Sequence, residues 1–364
     1  MDGDTHQEYY FYENENYTDN DSIFDITPCE PQSLSGSEFF LPTIYFLIFL
    51  TGFFGNLFVI FVVQSKKRGS RLVDTFVINL AVADLVFVVT LPLWAISASQ
   101  KNYWNFGNFL CKLSSYIIAV NRFSNIFFLT CMSIDRYLAV VKLMDSKYLR
   151  SSWCVWVTCA VIWGISLVLG IPSLIYRKMS YDGKICTEDI NSTFFLGTNL
   201  IMALLTFIFP VFIIVLCYGN IIMHLNKHSA AAGNPRADAR RKHSLKIVLC
   251  IIVAFVVSWL PYNVFKSIMV ISHLTGAELS CETQSWQLNG LTISCCLAFL
   301  NSCVNPAIYF FLDHHFRRSA ETMYKTCLRK PKLLQSFNSS ASFTNGFTSE
   351  SNGTTNGRSQ FQMA

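Results

Sequence analysis

Ser133-Ile-Asp135-Arg136-Tyr137-Leu-Ala-Val-Val141 ends the third of seven long apolar stretches in this 364-residue chain. An aspartate beside an arginine, where a helix leaves a bilayer, is costly unless the pair has a partner or a task. Alone, the triplet Asp135-Arg136-Tyr137 is a weak pattern, because three common residues recur by chance. Its weight comes from its address at the end of stretch three of seven.

The chain is 52% hydrophobic and 14% charged, with a mean hydropathy of +0.37. A soluble domain cannot hide that much apolar surface, so the composition points to a polytopic membrane protein. The 32 phenylalanines suit lipid-facing helices. A hydrocarbon core of ~30 Å takes ~20 helical residues. Seven stretches reach that length: residues 40–64, 72–99, 111–141, 153–176, 194–225, 244–273 and 284–312. The expected fold is all-α, a seven-transmembrane helix bundle (40–312). An acidic N-terminal segment (1–39) precedes it. A short amphipathic eighth helix with its flanking region (313–330) and a polar tail (331–364) follow.

Lysine and arginine set the orientation. One face carries Lys66, Lys67, Arg68 and Arg71, then Lys142, Lys147 and Arg150, then Lys227, Arg236, Arg240, Arg241 and Lys242. The tail adds Arg317, Arg318, Lys325, Arg329, Lys330 and Lys332, whereas the opposite loops hold only Lys101, Lys112, Arg177, Lys178 and Lys184. The N-terminus is therefore expected outside the plasma membrane and the C-terminus inside, and seven crossings satisfy that parity. The start is acidic and lacks a basic-then-apolar leader pattern, so the first stretch is expected to act as its own insertion signal. The net charge of +5 is spread over short loops, which argues against a nucleic-acid partner.

The N-terminal segment sets Tyr9, Tyr10, Tyr12 and Tyr17 among Glu8, Glu13, Glu15, Asp19 and Asp21, with no basic residue. It reads either as a solvated tail or as a bait that speeds encounter with a basic ligand, and sulfation of the tyrosines would strengthen the bait. Asn16, Asn20 and Asn191 lie in glycosylation sequons on the expected outer face. Cys327, close to basic residues, is a candidate palmitoylation site that would add a hold on membrane lipid. The hydroxyl-rich tail would accept phosphate from kinases.

Within the apolar stretches, polar residues are the informative ones. Asp84 lies mid-helix in stretch two, and Asn56, Asn121, Asn125, Asn301, Ser302 and Asn305 lie on other stretches. They read as a polar packing network or as a site for a small cation such as sodium, with Asp84 as the metal-facing carboxylate. No other cofactor is implied. Pro92, Pro172, Pro210, Pro261 and Pro306 each remove a helical hydrogen bond and permit a kink. Trp259, two residues before Pro261, is a candidate lever for the inner half of stretch six. Asn305-Pro306-Ala-Ile-Tyr309 puts a second hinge near the inner end of stretch seven. Four cysteines, Cys29, Cys111, Cys186 and Cys281, fall on the outer side, where three pairings are open.

These features together resemble the rhodopsin-like (class A) G-protein-coupled receptors. The matching residues are Gly55-Asn56, Leu80-Ala-Val-Ala-Asp84, Asp135-Arg136-Tyr137 and Trp163, then Pro210 with Tyr218, Phe255 with Trp259-Leu-Pro261, and Asn305-Pro306-Ala-Ile-Tyr309. They span roughly residues 40–325. Within the class, Thr90-Leu-Pro92-Leu-Trp94, Trp104-Asn-Phe-Gly107 and the extra outer cysteines are similar to the chemokine and chemoattractant peptide branch. The resemblance implies disulfides Cys111–Cys186 and Cys29–Cys281. It also implies that Arg136, restrained by Asp135, meets the G protein beside Tyr137, Tyr218 and Tyr309. Phe255, Trp259, Pro261, Asn305 and Pro306 would form the activation switch. Kinases and arrestin would act on the tail, and Gi/o would be the default G-protein class. The implied ligand is a secreted chemokine-like or other peptide.

The chain also departs from that pattern. Many members carry an acid at the inner end of helix six that locks the helix-three arginine, but this chain has Arg241-Lys242-His243 there. Chemokine receptors often place a glutamate midway along helix seven, where this chain has Cys295 and Cys296. Arg122 and Lys266 instead bring positive charge toward a pocket expected to include Trp94, Ile118 and Cys295. They read as counter-ions for an acidic ligand group, although a lysine at the rim also snorkels. Amine receptors carry an aspartate where Ile118 stands. A lipid or other small-molecule class A receptor is the rival within the class, and an ion-coupled transporter is a remote one. No inverted repeat or filter motif supports transport. No lysine in stretch seven supports a retinal photoreceptor, and no catalytic spacing supports an enzyme.

Overall fold

The computed structural model describes residues 34–65, 72–142, 151–181, 183–190, 192–228, 235–314 and 316–325. Tyr9, Tyr10, Tyr12, Tyr17, Asn16, Asn20, Cys29, Asn191 and Cys327 lie outside the described residues. Seven helices among the described residues are long and apolar enough to cross a membrane: Ser37–Gln64, Leu72–Ser99, Gly107–Val140, Ser152–Tyr176, Thr193–Leu225, Leu245–Leu274 and Cys281–Leu312. They are the first to seventh spans below. The helix containing the sixth span starts earlier, at Pro235.

Local chemistry explains the ends and irregularities. The Ser151, Ser192 and Ser280 hydroxyls each accept a backbone N–H three residues on, starting the fourth, fifth and seventh spans. That cap begins the seventh span at Cys281, three residues ahead of its sequence-based start. The second span breaks into Leu72–Val88 and Leu91–Ser99. Pro92 lacks a backbone N–H, and the Thr90 hydroxyl donates back to the Phe87 carbonyl at 2.8 Å. The fifth span widens into a π-helical turn over Leu204–Ile208, just before Pro210. A π turn accommodates the carbonyl that a proline cannot bond.

The third span is the central post. It packs against the second, fourth, fifth and sixth, and 67% of its apolar window is buried, against 22% for the fifth. Trp163 ties the fourth span to the second by donating its indole N–H to Asn79 Oδ1 at 2.9 Å. The outward faces carry exposed Phe54, Phe61, Trp156, Val168, Phe212 and Val257, as a bilayer requires.

Each end of the bundle has its own closure. At one end, strands β1 (Arg177–Met179) and β2 (Cys186–Glu188) form an antiparallel hairpin. Gly183, with φ +69°, turns the chain between them. A disulfide joins Cys186 to Cys111 at the start of the third span, and the Trp104 N–H donates to the Lys184 carbonyl at 2.7 Å. At the opposite end, residues 316–325 are helical. Asp313 Oδ1 accepts the Phe316 N–H at 3.1 Å. Phe316 is buried against Tyr309 and Phe58, while Arg317 and Arg318 face out. This is the expected short amphipathic eighth helix.

Candidate functional site

The hairpin roofs a cavity of about 470 Å³ that descends between the spans. Trp94, Ile118, Arg122 and Cys295 line it, as does Trp259 on its floor. Lys266 does not line this cavity. It borders a small adjoining recess with Arg122, Asn199 and Tyr262.

Lys266 is not a free counter-ion, contrary to the expectation for a ligand anchor. Its ammonium is ion-paired with Glu188 of β2. Glu188 also sits 3.2 Å from Arg177, its cross-strand neighbour. Burial pushes the Glu188 carboxyl pKa up, but Lys266 and Arg177 outweigh burial and hold it at about 2. Sequence reasoning missed Glu188. The signal was its offset from Cys186: residues two apart on a strand share a face. Once the disulfide turns Cys186 toward the bundle, Glu188 follows.

Arg122 lies within electrostatic reach of Glu188 but is not paired with it. Its guanidinium lies 4.7 Å from the Phe123 ring centroid and 5.7 Å from that of Tyr262. No carboxylate within ion-pair distance of it is present among the described residues. Its Nε is buried without an acceptor.

Below the cavity floor, aromatic rings continue inward. Trp259 lies 5.7 Å from Tyr262 and 6.1 Å from Phe255, and Phe255 lies 6.4 Å from Phe207. Beside this stack, fully buried Asp84 accepts four hydrogen bonds. Asn121, Asn125 and Ser302 donate to one carboxylate oxygen at 3.0, 2.9 and 2.8 Å, and Asn305 donates to the other at 3.0 Å. Asn56 donates to the Ser302 carbonyl at 2.8 Å. Spans one, two, three and seven thus share one polar knot. Asn301, also buried, sits beside Ser302 without bonding Asp84.

At the end opposite the hairpin, Arg136 is paired with Asp135 at 3.1 Å. Tyr218 lies within electrostatic reach of Arg136 and belongs to the same buried cluster as Tyr309, with Tyr137 packed against it. The helix that contains the sixth span reaches the seventh here through His243, whose Nε2 lies 2.9 Å from the Leu312 carbonyl. Cys281 is disulfide-bonded, and Cys29, its expected partner, lies outside the described residues.

A seven-span bundle with a roofed cavity at one end and a charged triplet at the other is the architecture of a seven-transmembrane receptor. The chain belongs to the rhodopsin family of these receptors: the 7 transmembrane receptor (rhodopsin family) pattern matches residues 55–309. It is 39% identical to mouse G-protein coupled receptor 15 over 301 residues, covering 82% of each chain. It is 35% identical to mouse probable G-protein coupled receptor 25, covering 90% of this chain and 89% of that one. Apelin receptor A of Xenopus laevis is 37% identical over 84% of this chain and 86% of its own. The family consists of signalling receptors, so the chain is a multi-pass membrane receptor and not an enzyme.

Proposed function

We propose that this chain is a plasma-membrane receptor for a secreted chemokine-like or other peptide, with its hairpin end outside. Agonist binding passes to a heterotrimeric G protein, of the Gi/o class, and then to arrestin once kinases phosphorylate the tail. The observation that carries this reading is the physical continuity between the two ends. The cavity floor is Trp259, Trp259 stacks toward Phe255, and Phe255 joins the buried cluster that holds Tyr218 and Tyr309 near the Asp135–Arg136 pair. A ligand pressing on Trp259 meets the bundle where Pro261 weakens the sixth span. The acidic, tyrosine-rich segment before the first span fits a basic ligand, and Ile118 in the cavity wall offers no anchor to a small amine.

A lipid or other small-molecule ligand is the second reading, favoured by a cavity volume within the range of small-molecule sites. The test is a screen of secreted basic peptides and of lipids on cells expressing the chain, read as G-protein nucleotide exchange, with Arg136→Ala run in parallel. A peptide agonist should act on the natural chain, and Arg136→Ala should abolish exchange while surface expression and binding persist. Undiminished exchange in the variant would remove Arg136 from the coupling role.

The Asp84 knot suits a sodium ion. The Asp84 carboxylate and Ser302 hydroxyl lie together, and the buried amide oxygens of Asn125, Asn301 and Asn305 have no hydrogen-bond donor among the described residues. An all-oxygen donor set suits a hard cation. Bound there, the ion would neutralise Asp84 and hold one packing of the spans.

A further inference from the structure

The cavity wall has a polarity that its composition does not announce. Five buried side-chain polar atoms lining it find no hydrogen-bond partner among the described residues: Trp94 Nε1, Arg122 Nε, Arg177 Nε, Asn199 Nδ2 and Trp259 Nε1. Every one is a donor. Buried donors left without acceptors are costly, and natural structures leave few of them. A wall of unmatched donors is therefore complementary to an acceptor-rich group.

Charge narrows the class and the place. At the rim, Arg177 and Lys266 share Glu188, and both cations already hold its carboxylate. Deeper in, Arg122 feels that carboxylate only at a distance and is flanked by aromatic faces. A guanidinium in a partly desolvated wall attracts an anion more strongly than a neutral acceptor. Asn199 borders both the main cavity and the small recess that Arg122 shares with Tyr262. It can add an amide donor at the same corner.

We infer that the Arg122–Asn199 corner is the subsite for a carboxylate group of the ligand, and that Glu188 directs the carboxylate there by occupying the rim cations. This rests on the reading of the cavity as the ligand site of a receptor. The Tyr262 ring walls the subsite, and Glu188 acts as a built-in stand-in for ligand acid at the rim.

The test uses purified full-length receptor in detergent and three probes: N-acetyl-leucyl-leucine, its C-terminal amide, and N-acetyl-glutamyl-leucine amide. The thermal unfolding midpoint is read against probe concentration up to the millimolar range. Either acid should raise the midpoint and the uncharged amide should not. Comparing the two acids separates a chain terminus from an acidic side chain as the source. Arg122→Gln should lose the shift, while Lys184→Gln at the hairpin should keep it. Glu188→Gln, by freeing two rim cations, should move the response to lower acid concentration. Asn199→Asp supplies a carboxylate from within, so it should raise the probe-free midpoint and abolish the acid response, which guards against a variant that merely fails to fold. Equal shifts from acid and amide, no shift from either acid, or a full response in Arg122→Gln would overturn the assignment. The readout needs no G protein. Its failure leaves the coupling role of Arg136 standing, and failure of coupling leaves this subsite standing.

Discussion

Glu188 shows how a single side chain can set the electrostatics of a receptor mouth. It is about a quarter exposed, yet two cations hold its carboxyl at about 2, below its ordinary 4.5. A carboxyl with a lowered folded-state pKa contributes stability above its unfolded pKa. That contribution fades as pH falls from about 4.5 toward 2. Allowing for solvent screening at the exposed edge, the tie should be worth about 1–2 kcal/mol at neutral pH. Glu188→Gln should therefore lower the unfolding midpoint in detergent at pH 7, and the gap from the natural protein should close as the buffer approaches pH 3. A gap that stays constant across that range would mean the ion pair does not anchor the hairpin. The residue was hidden in the sequence for a physical reason. A glutamate in a polar loop looks like solvated surface until the Cys111–Cys186 disulfide turns its strand toward the bundle. Asp84 and the asparagines around it were readable, because a carboxylate in an apolar stretch demands partners wherever they lie. Lys266 is legible in the sequence as a positive charge near the pocket rim, but its partner Glu188 sits in the loop, which the span pattern does not reveal.

At the scale of elements, the apolar lengths were nearly sufficient, and the seven spans depart from their sequence-based limits only at caps and extensions. What the periodicity could not show was the shape inside a span. The break between Val88 and Leu91 and the π turn over Leu204–Ile208 arise from prolines whose presence is visible but whose local resolution depends on neighbouring hydroxyls. The inner end of the sixth span poses the sharper question, because Arg241-Lys242-His243 offers the third-span arginine no acid to pair with there. His243 provides another tie, reaching the Leu312 carbonyl at the end of the seventh span. That contact joins two elements that must part if the sixth span is to swing outward. His243→Ala should raise ligand-independent G-protein nucleotide exchange severalfold, and Arg136→Ala in the same chain should cancel the rise. Basal exchange equal to that of the natural protein would assign restraint of the sixth span to Asp135 and the Asp84 knot alone.

Over the whole molecule, the polar knot stands between the roofed cavity and the end that carries the Asp135–Arg136 pair. Asp84 draws donors from the third and seventh spans, and Asn56 adds the first through the Ser302 carbonyl. No apolar contact could fix four helices in one register this way, because dispersion falls off without directional preference whereas each of these bonds has one geometry. Four donors compensate the Asp84 carboxylate when it is ionised, but its negative charge then lies buried at the centre of the bundle. A sodium ion would cancel that charge, and it would do so in the packing that brings Asp84, Ser302 and the asparagine oxygens together. Binding to one packing stabilises it by mass action. Purified receptor should therefore unfold at a higher temperature in sodium chloride than in choline chloride at equal ionic strength. Asp84→Asn, which keeps the shape and removes the charge, should abolish the difference while leaving the chain folded. A sodium effect that survives Asp84→Asn would place the ion elsewhere, and equal midpoints in the two salts for the natural chain would make the knot a packing device alone.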